Sequence, residues 1–187
     1  MIEVKKKVQT FEGENQILQS LLQTEKIDRR KAEELLAANQ KYVASLQQLF
    51  ASIETDGVEQ TATGVRISDG LLFDSGSASL KEGGKAVLGK LAKQIVDQKL
   101  AIRIDGHTDG QPVVRVKDKY ETNWDLSAAR ALNVLKCLAA QGVPEKNMSA
   151  AAFGEQRPIT GEENSGTKPN KRNRRVEITV LKQPGTE

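Results

Sequence analysis

The sequence changes from one periodicity to another at residues 54–57, and this change divides the chain into two unlike parts. Between Glu12 and Ile53 there is no proline, and no glycine after Gly13, so no residue in this stretch interrupts a helix. From Val58 to Phe73 the pattern changes to period two, in which Val65, Ile67, Leu71 and Phe73 share one parity, as is typical of a strand. We therefore expect a helical stalk at residues 1–55 and a globular domain at residues 56–187.

The apolar residues of the stalk recur with a heptad spacing that favours a coiled coil. The seam comprises Leu18, Leu21, Ala32, Leu35, Tyr42, Leu46, Leu49 and Ile53. Polar residues interrupt it at Glu25, Asp28 and Asn39, and an asparagine at such a position fixes the register of parallel dimers. We predict a homodimer through this helix; the alternative is a single helix that packs on the globular domain.

The patterns in residues 58–181 predict strands and helices in alternation. In chain order we expect a strand at 58–73 with a bend at Asp69 and Gly70, a helix at about 80–98 capped by Ser79, a strand at 101–105 that breaks at Gly106, a helix at about 124–141 capped by Asn123, and strands at 148–153 and 175–181. This β-α-β-α-β-β order predicts an α+β two-layer sandwich. Its helices pack on one face of a mixed sheet, and the long N-terminal helix precedes it.

The composition excludes several classes of protein. No apolar run approaches the roughly 18 residues of a membrane span, and no signal peptide is visible, so the chain is either cytosolic or separated from a targeting or anchoring segment. The single cysteine, Cys137, allows no disulfide within the chain and is expected to be a small buried hydrophobe. With His107 the only histidine, and expected to form hydrogen bonds in a loop, we predict no metal site and no cofactor.

Two sequence blocks bring opposite charges to one cleft. Residues 102–109 are interpreted as a strand that breaks at Gly106 into a polar loop with Asp109, and residues 123–131 begin a helix that carries Arg130 on its second turn. One fixed anion and one fixed cation suit a zwitterion, such as the free end of an amino acid. Ser127 precedes Arg130 by one turn without a histidine on that helix, so the pattern predicts binding rather than catalysis. The alternative is an internal salt bridge between Asp109 and Arg130.

A local basic surplus offers a different function. It consists of Lys168, Lys171, Arg172, Arg174 and Arg175. The alternative functions are nucleic-acid binding through this loop or general protein interaction, but aromatic residues are only 4% of the chain, which argues against nucleic acid. Arg174 shares parity with Val176 and Ile178 and is predicted to flank the cleft; otherwise it pairs with a carboxylate such as Asp105.

Four motifs in order resemble the OmpA/MotB C-terminal family of peptidoglycan-binding domains. They are Leu72-Phe-Asp-Ser-Gly-Ser-Ala78, Ile104-Asp-Gly-His-Thr-Asp109, Asn123-Trp-Asp-Leu-Ser-Ala-Ala-Arg-Ala131 and Asn173-Arg-Arg-Val-Glu-Ile178. The resemblance covers roughly residues 60–182. The long loop between Asp109 and Asn123 makes the chain most similar to the flagellar stator members of the family.

The resemblance implies both a ligand and a place in the cell. In that family the positions of Asp109 and Arg130 hold diaminopimelate of the peptidoglycan stem, and the same motifs add the ligand-binding candidates Thr108, Asn123, Leu126, Phe73, Asp74 and Arg174. Phe73 is expected in the core, with Asp74 turned outward toward the cleft, and family members place this segment beside the ligand. A non-catalytic module of the periplasm or cell envelope is therefore expected, which anchors an envelope or flagellar-motor-like complex to the wall. A membrane anchor upstream is part of this expectation.

Overall fold

The computed structural model describes residues 2–51, 53, 55–113, 119–161 and 170–181, and only the backbone of residues 2–17. The chain divides into two compact units, Met1–Ala44 and Ser45–Glu187. Helix α1 spans Ile2–Ala51 and therefore contributes to both units. No helix of the described part is long and apolar enough to cross a membrane.

Helix α1 differs in character between the two units. Among the described side chains of the first unit, Leu18, Leu21 and Leu35 are exposed, whereas Tyr42 and Val43 near its end are half-buried. In the second unit Leu46 and Phe50 are buried, as is Ile53 just beyond the helix. Their spacings of four and three residues form an apolar stripe on one face, which explains why this end of α1 belongs to the globular unit.

The first predicted strand is two strands. Strands β1 (Val58–Thr61) and β2 (Gly64–Ser68) form an antiparallel hairpin in which Val58 pairs with Ile67. The prediction that the strand continues to Phe73 is wrong, because the chain turns at Asp69 into the short helix α2 (Asp69–Leu72). Ser68 is the last residue of β2 that a neighbouring strand pairs, so the backbone beyond it satisfies its hydrogen bonds in a helical turn.

The remaining elements follow the predicted order. They are α3 (Glu82–Asp97), β3 (Ala101–His107), α4 (Asn123–Ala140), β4 (Met148–Ala152) and β5 (Arg175–Leu181), with single 3₁₀ turns at Glu145–Asn147 and Lys171–Asn173. The sheet order is β1-β2-β5-β3-β4, with β3 and β4 parallel and the other pairs antiparallel. The predicted α+β class, with its mixed sheet and long N-terminal helix, is confirmed.

The core lies between the helices and one face of the sheet. Its buried side chains include Ile102, Ile104, Ile178 and Val180 from the sheet and Leu88, Leu91, Ile95, Val134 and Leu138 from α3 and α4. The sequence suggested that β3 breaks at Gly106, but this glycine lies inside the strand. A Cβ there would collide with the carbonyl oxygen of Ser127, so glycine lets α4 pack directly on the strand backbone.

Two predicted helix caps are wrong. The residue before α3 is Lys81, not Ser79, and its side chain makes no capping bond. The cap of α4 is Thr122, whose Oγ1 accepts from the Asp125 N–H at 3.3 Å while Asp125 Oδ2 accepts from the Thr122 N–H at 2.8 Å. This reciprocal capping box satisfies two backbone donors at once and leaves the Asn123 side chain for another role.

The face of the sheet opposite the helices carries charged side chains. Strand alternation and register place Glu59, Arg66, Glu177 and Asp105 in one row across four strands, and Arg175 beside His107 in the next. Arg66 contacts Glu59 at 3.2 Å and Glu177 at 3.0 Å, and Arg175 contacts Glu177 at 2.6 Å. We call Glu59, Arg66, Arg175 and Glu177 the opposite-face network.

Candidate functional site

A cavity of about 420 Å³ opens where β3 ends and α4 begins. Its lining consists of Asp69, Ser75, Gly76, Thr108, Asp109, Gln111, Pro112, Val113, Asn123, Leu126, Arg130 and Arg174. Six of the eight predicted site residues lie in this lining, and Phe73 and Asp74 do not. Strand ends and a helix N-terminus therefore converge on one cavity, as the two sequence blocks predicted.

Backbone hydrogen bonds fix the ends of the elements that meet at the cavity. The Thr108 N–H donates to the carbonyl of Gly154 at 2.8 Å, which holds the chain directly after β3. The Asp69 N–H donates to the carbonyl of Arg174 at 3.0 Å, which ties the start of α2 to the residue before β5. The side chains of these residues thus project from anchored backbone rather than from free loops.

Arg130 is buried, with 2% of its surface exposed, yet one of its nitrogens is unused. Nη2 lies 2.9 Å from Asp69 Oδ1, and Nε donates to the carbonyl of Ser77 at 3.0 Å. The guanidinium carbon lies 5.1 Å from the centre of the Phe73 ring, a cation–π contact. Nη1 is buried and has no hydrogen-bond partner among the described residues.

Asp109 is also buried and is held by the second arginine of the cavity. Its Oδ2 accepts from Arg174 Nη1 at 3.2 Å, and Oδ1 is 3.4 Å from the Gln111 N–H. Arg174 Nε lies 3.7 Å from Asp69 Oδ2. Arg130, Asp69, Arg174 and Asp109 therefore form a chain of alternating charge, which we call the charge quartet. Arg130 thus pairs with Asp69 and Asp109 with Arg174, instead of the direct Asp109–Arg130 salt bridge that was the alternative prediction.

Burial opposes the charges of the quartet. Burial raises the pKa of Asp69, while the neighbouring Arg130 and Arg174 act in the opposite direction. Burial also lowers the pKa of Arg130, opposed by Asp69, although a guanidinium stays protonated in proteins. Each charge is therefore tolerated because of its neighbours, and removing one member leaves a poorly solvated partner.

A second unused donor lies in the same lining. Thr108 Oγ1 is buried and without a hydrogen-bond partner among the described residues. Arg174 Nε is a third such atom, with only the 3.7 Å ion pair to Asp69. An unsatisfied buried polar group costs about 1–3 kcal/mol, so three of them beside one cavity need an explanation. Arg130 Nη1 can only donate, and the Thr108 hydroxyl can donate or accept, so a ligand with acceptor oxygens satisfies both.

Asn123 and Leu126 form the α4 side of the cavity. Asn123 Nδ2 donates to the carbonyl of Gln111 at 3.0 Å and lies 3.4 Å from that of Asp109. Asn123 therefore holds the loop after β3 against the helix instead of capping it. Leu126 is buried and supplies an apolar wall.

Phe73 lies in the core, as expected, but Asp74 does not turn toward the cleft. Phe73 is buried beneath the Arg130 guanidinium, so it contacts a cavity residue without lining the cavity. The side chain of Asp74 is 75% exposed and lies 3.3 Å from Lys81 Nζ. Phe73 has an extended backbone, so neighbouring side chains point to opposite sides, and a buried Phe73 directs Asp74 to solvent rather than to the cleft.

Arg174 faces the cavity as predicted, but its partners are Asp69 and Asp109 rather than Asp105. Asp105 is instead held by Arg103 through bonds of 2.8 Å from both Nε and Nη2. The basic cluster from which Arg174 comes does not form one surface. Arg175 is buried against Glu177, Arg172 pairs with Glu59 at 3.2 Å, and Lys168 lies outside the described residues.

Sequence reasoning missed Asp69. The sequence pattern indicates only a bend at Asp69 and Gly70, yet the Asp69 carboxylate contacts both arginines of the quartet. The available signal was an aspartate directly after the alternating residues of β2, at the end of a strand. What the sequence does not give is the register of β2 with β5, which pairs Ser68 with Arg175 and so places Asp69 beside Arg174.

His107 is not the loop hydrogen-bonder that the sequence suggested. It is the last residue of β3, buried, and its ring stacks on Phe153 with centroids 5.2 Å apart. Neither ring nitrogen has a hydrogen-bond partner among the described residues. Burial, together with nearby Arg175, lowers its pKa to about 4. Within the described residues, no group of three or more histidine, cysteine, aspartate or glutamate side chains could hold a metal ion.

The fold and the cavity define an α+β domain with a paired-charge site at a strand end. The OmpA family model matches residues 72–174, more than half of the chain, and the chain belongs to the OmpA family. This range contains most of the cavity lining, although Asp69 lies before it. The family resemblance drawn from the four motifs is confirmed.

Individual proteins agree with this assignment. The chain is 30% identical over 121 residues to the protein YtxE of Bacillus subtilis, a match covering 64% of this chain and 48% of that protein. It thus spans about half the length of this relative. Among solved structures, a MotB-like protein from Desulfovibrio vulgaris has a TM-score of 0.69 and 25% identity, over 81% of this chain and 98% of the other.

A second solved structure is the cell wall anchor of the T6SS from Pseudomonas aeruginosa. It is 29% identical with a TM-score of 0.64, and the match covers 74% of this chain and 97% of that one. The match with the MotB-like structure from Desulfovibrio vulgaris shows that the similarity inferred from the long loop extends to the three-dimensional fold.

Proposed function

We propose that this chain binds peptidoglycan by taking the zwitterionic side-chain end of diaminopimelate into the cavity, and that it holds an envelope complex to the cell wall. The observation that carries this proposal is the unpartnered, buried Nη1 of Arg130 in a cavity that also contains the carboxylate of Asp109. A ligand carboxylate and a ligand ammonium match these two groups.

The charge balance of the cavity favours a zwitterion over an anion or a cation. The quartet contains two aspartates and two arginines, and their formal charges cancel. A phosphate or a simple amine would bring an uncompensated charge into a poorly solvated site, whereas a group with one charge of each sign leaves the balance unchanged. Diaminopimelate has such a group at the end of its side chain.

Each lining residue has a role in this proposal. Asp109 accepts hydrogen bonds from the ligand ammonium, and Arg130 donates from Nη1 to the ligand carboxylate. Thr108 supplies a hydroxyl, and backbone N–H groups at the start of α4 favour the negative end of the ligand. Asn123 and Leu126 shape the wall. We propose a non-catalytic role, because Ser75 and Thr108 are not accompanied by a histidine or lysine in the described lining.

The relatives support anchoring as the biological role. One similar structure is described as a cell wall anchor and another as MotB-like. Together with the cavity chemistry, this supports a place in the periplasm or cell envelope, where a wall-binding domain meets its polymer. The complex that is anchored, and its attachment to a membrane, are part of the proposal.

Cosedimentation of the full chain with purified sacculi tests this function. Asp109→Ala and Arg130→Ala are expected to lose most of the bound fraction, because each removes one charged contact to the ligand. The matched controls are Asp105→Ala, a carboxylate that is also buried, and Arg66→Ala, an arginine of the opposite face. Both controls are expected to bind sacculi like the unaltered chain.

Full retention of sacculus binding by both cavity variants would exclude the proposed pocket. Equal loss in cavity variants and controls would show a general effect of charge rather than a site. Thermal melts of all four variants establish that the compared chains are folded.

We also propose that α1 is a dimeric stalk. Within the predicted seam Leu18, Leu21 and Leu35 are exposed in a single chain, whereas Leu46 and Ile53 are buried in the globular unit. A second copy of α1 would cover the exposed part of the seam. Sedimentation equilibrium of the full chain is expected to give a dimer, and the triple change of Leu18, Leu21 and Leu35 to Lys a monomer. Ile27→Lys is the control, because Ile27 is exposed on α1 but lies off the seam. A dimer that survives the triple change would place self-association elsewhere.

A further inference from the structure

The direction of the Arg130 guanidinium is fixed by contacts on several sides. Asp69 Oδ1 lies 2.9 Å from Nη2, the Ser77 carbonyl accepts from Nε at 3.0 Å, and the Phe73 ring packs against the plane. A guanidinium is planar, so fixing Nε and Nη2 also fixes where Nη1 points. Nη1 is the atom left without a partner among the described residues.

Asp69 contacts both arginines of the quartet. Its Oδ2 lies 3.7 Å from Arg174 Nε, and Arg174 Nη1 in turn lies 3.2 Å from Asp109 Oδ2. One carboxylate therefore separates two guanidinium groups that would otherwise repel each other. It also gives Arg130 a partner other than Asp109, so these two residues stay apart and available.

We propose that Asp69 is the positioning residue of the ligand site. It holds Arg130 through Nη2, so that Nη1 remains free for a carboxylate of the wall peptide, and it prevents Arg130 from closing onto Asp109. In this proposal Asp69 acts through Arg130, at 2.9 Å, rather than through the more distant Arg174 Nε at 3.7 Å, and it does not itself bind the ligand. The inference rests on the proposed function, because it assigns Nη1 to a ligand carboxylate.

Asp105 shows what a purely structural pair looks like in the same domain. It is buried to a similar degree, and Arg103 Nε and Nη2 both contact its carboxylate at 2.8 Å. It does not belong to the cavity lining. Asp105→Asn therefore removes the same charge from a similarly buried aspartate, whose partner Arg103 is 42% exposed, and it is the matched control for Asp69→Asn.

Calorimetric titration of the full chain with a soluble muropeptide that carries a diaminopimelate stem tests the inference. Asp69→Asn is expected to weaken binding roughly tenfold, since it frees the guanidinium that makes a charge-assisted bond. Asp105→Asn is expected to leave the affinity unchanged. In an Arg130→Lys background, Asp69→Asn is expected to have little further effect, because the group that it positions is gone.

A measurement without ligand separates positioning from a general structural role. In nitrogen-15 NMR spectra the Nε–H signal of Arg130, assigned by its loss in Arg130→Lys, should be sharp in the unaltered chain. Asp69→Asn is expected to shift or broaden this signal, and Asp105→Asn to leave it in place. An unchanged Arg130 signal in Asp69→Asn would overturn the positioning role.

The outcomes distinguish this inference from the function on which it rests. If the unaltered chain binds the muropeptide and Asp69→Asn binds equally well, the role of Asp69 fails and the proposed function stands. Additive losses in the double variant would likewise overturn it. If the unaltered chain does not bind the muropeptide, both fail. Should Asp69→Asn not fold, Asp69→Glu keeps the charge one methylene away; tenfold weaker binding supports the inference and full affinity overturns it.

Discussion

Two buried arginines of the same domain, Arg130 and Arg175, differ in how completely they are bonded. Every nitrogen of the Arg175 guanidinium donates: Nε to Glu177 at 2.6 Å, Nη1 to the Asn173 carbonyl and Nη2 to the Arg157 carbonyl, each at 3.1 Å. Arg130 has the same burial and comparable partners, but its Nη1 has none among the described residues. The fully bonded Arg175 stabilises the fold, whereas the proposed function assigns the free nitrogen of Arg130 to a ligand.

The networks around these arginines differ in the same way. The opposite-face network links Glu59, Arg66, Glu177 and Arg175 by contacts of 2.6–3.2 Å. The charge quartet has looser contacts, one of them 3.7 Å, and adjoins a cavity of about 420 Å³. Paired charges alone therefore do not identify a binding site. The informative feature is a buried polar atom that lacks a hydrogen-bond partner and lies beside a cavity.

The largest effect on stability is expected at Arg175, in the opposite-face network. Arg175→Ala should lower the free energy of unfolding by about 3–5 kcal/mol, because Glu177 and two carbonyls lose a buried partner. Urea denaturation measures this change. Arg66→Ala, whose side chain is 24% exposed, is the control and should cost about 1 kcal/mol. A loss below about 1 kcal/mol for Arg175→Ala would remove the distinction between the two arginines.

A second prediction concerns His107, an unpartnered group that lies away from the cavity. Its pKa is lowered to about 4 from the ordinary value near 6.5, so the unfolded chain binds more protons between these values. The neutral His107 therefore makes its full contribution to stability above pH 6.5. As the pH drops toward 4, the free energy of unfolding falls by about 2–3 kcal/mol. Urea denaturation at several pH values should show this slope.

The control for this slope is His107→Phe. Phenylalanine preserves the stack on Phe153 and loses no hydrogen bond that the described residues make. The variant should lack the histidine contribution between pH 6.5 and 4 and be more stable than the unaltered chain at the acidic end. An identical pH dependence in both chains would mean that His107 does not stay neutral on folding.

The smallest effect, and the sharpest contrast, is expected at Thr108. Thr108→Val removes a buried hydroxyl that has no partner among the described residues, so stability should be unchanged or rise by about 1 kcal/mol. Muropeptide affinity should nevertheless fall about fivefold, because the proposed function assigns this hydroxyl to the ligand. Thr122→Val is the control with the opposite signature: it removes the α4 cap, costs about 1 kcal/mol and leaves affinity unchanged. A stability loss without an affinity loss at Thr108 would make it a structural residue.

The sequence was sufficient for the fold and for part of the site. Apolar periodicity gave the class and the order of the elements, because it depends on local geometry alone. Asp109 and Arg130 were found because each lies next to an element boundary that the sequence marks. The cap of α4 was misplaced by one residue, since Thr122 and Asn123 are both good caps and only the position of the loop decides between them.

The rest of the site depends on tertiary pairing. Asp69 meets Arg174 because β2 and β5 pair in one particular register, and Phe73 meets Arg130 because the chain turns after Ser68. His107 was placed in a loop because Gly106 looked like a strand end. That glycine is required instead by the close approach of α4 to β3, which single-sequence patterns do not reveal.

The most direct test is calorimetric titration with two stem peptides that differ only at the third residue. One carries diaminopimelate and the other lysine, which keeps the ammonium but lacks the side-chain carboxylate. The free Nη1 of Arg130 predicts that the unaltered chain prefers the diaminopimelate peptide at least about tenfold, and that Arg130→Ala binds both peptides equally weakly. Equal affinity of the unaltered chain for the two peptides would contradict the proposed role of the cavity.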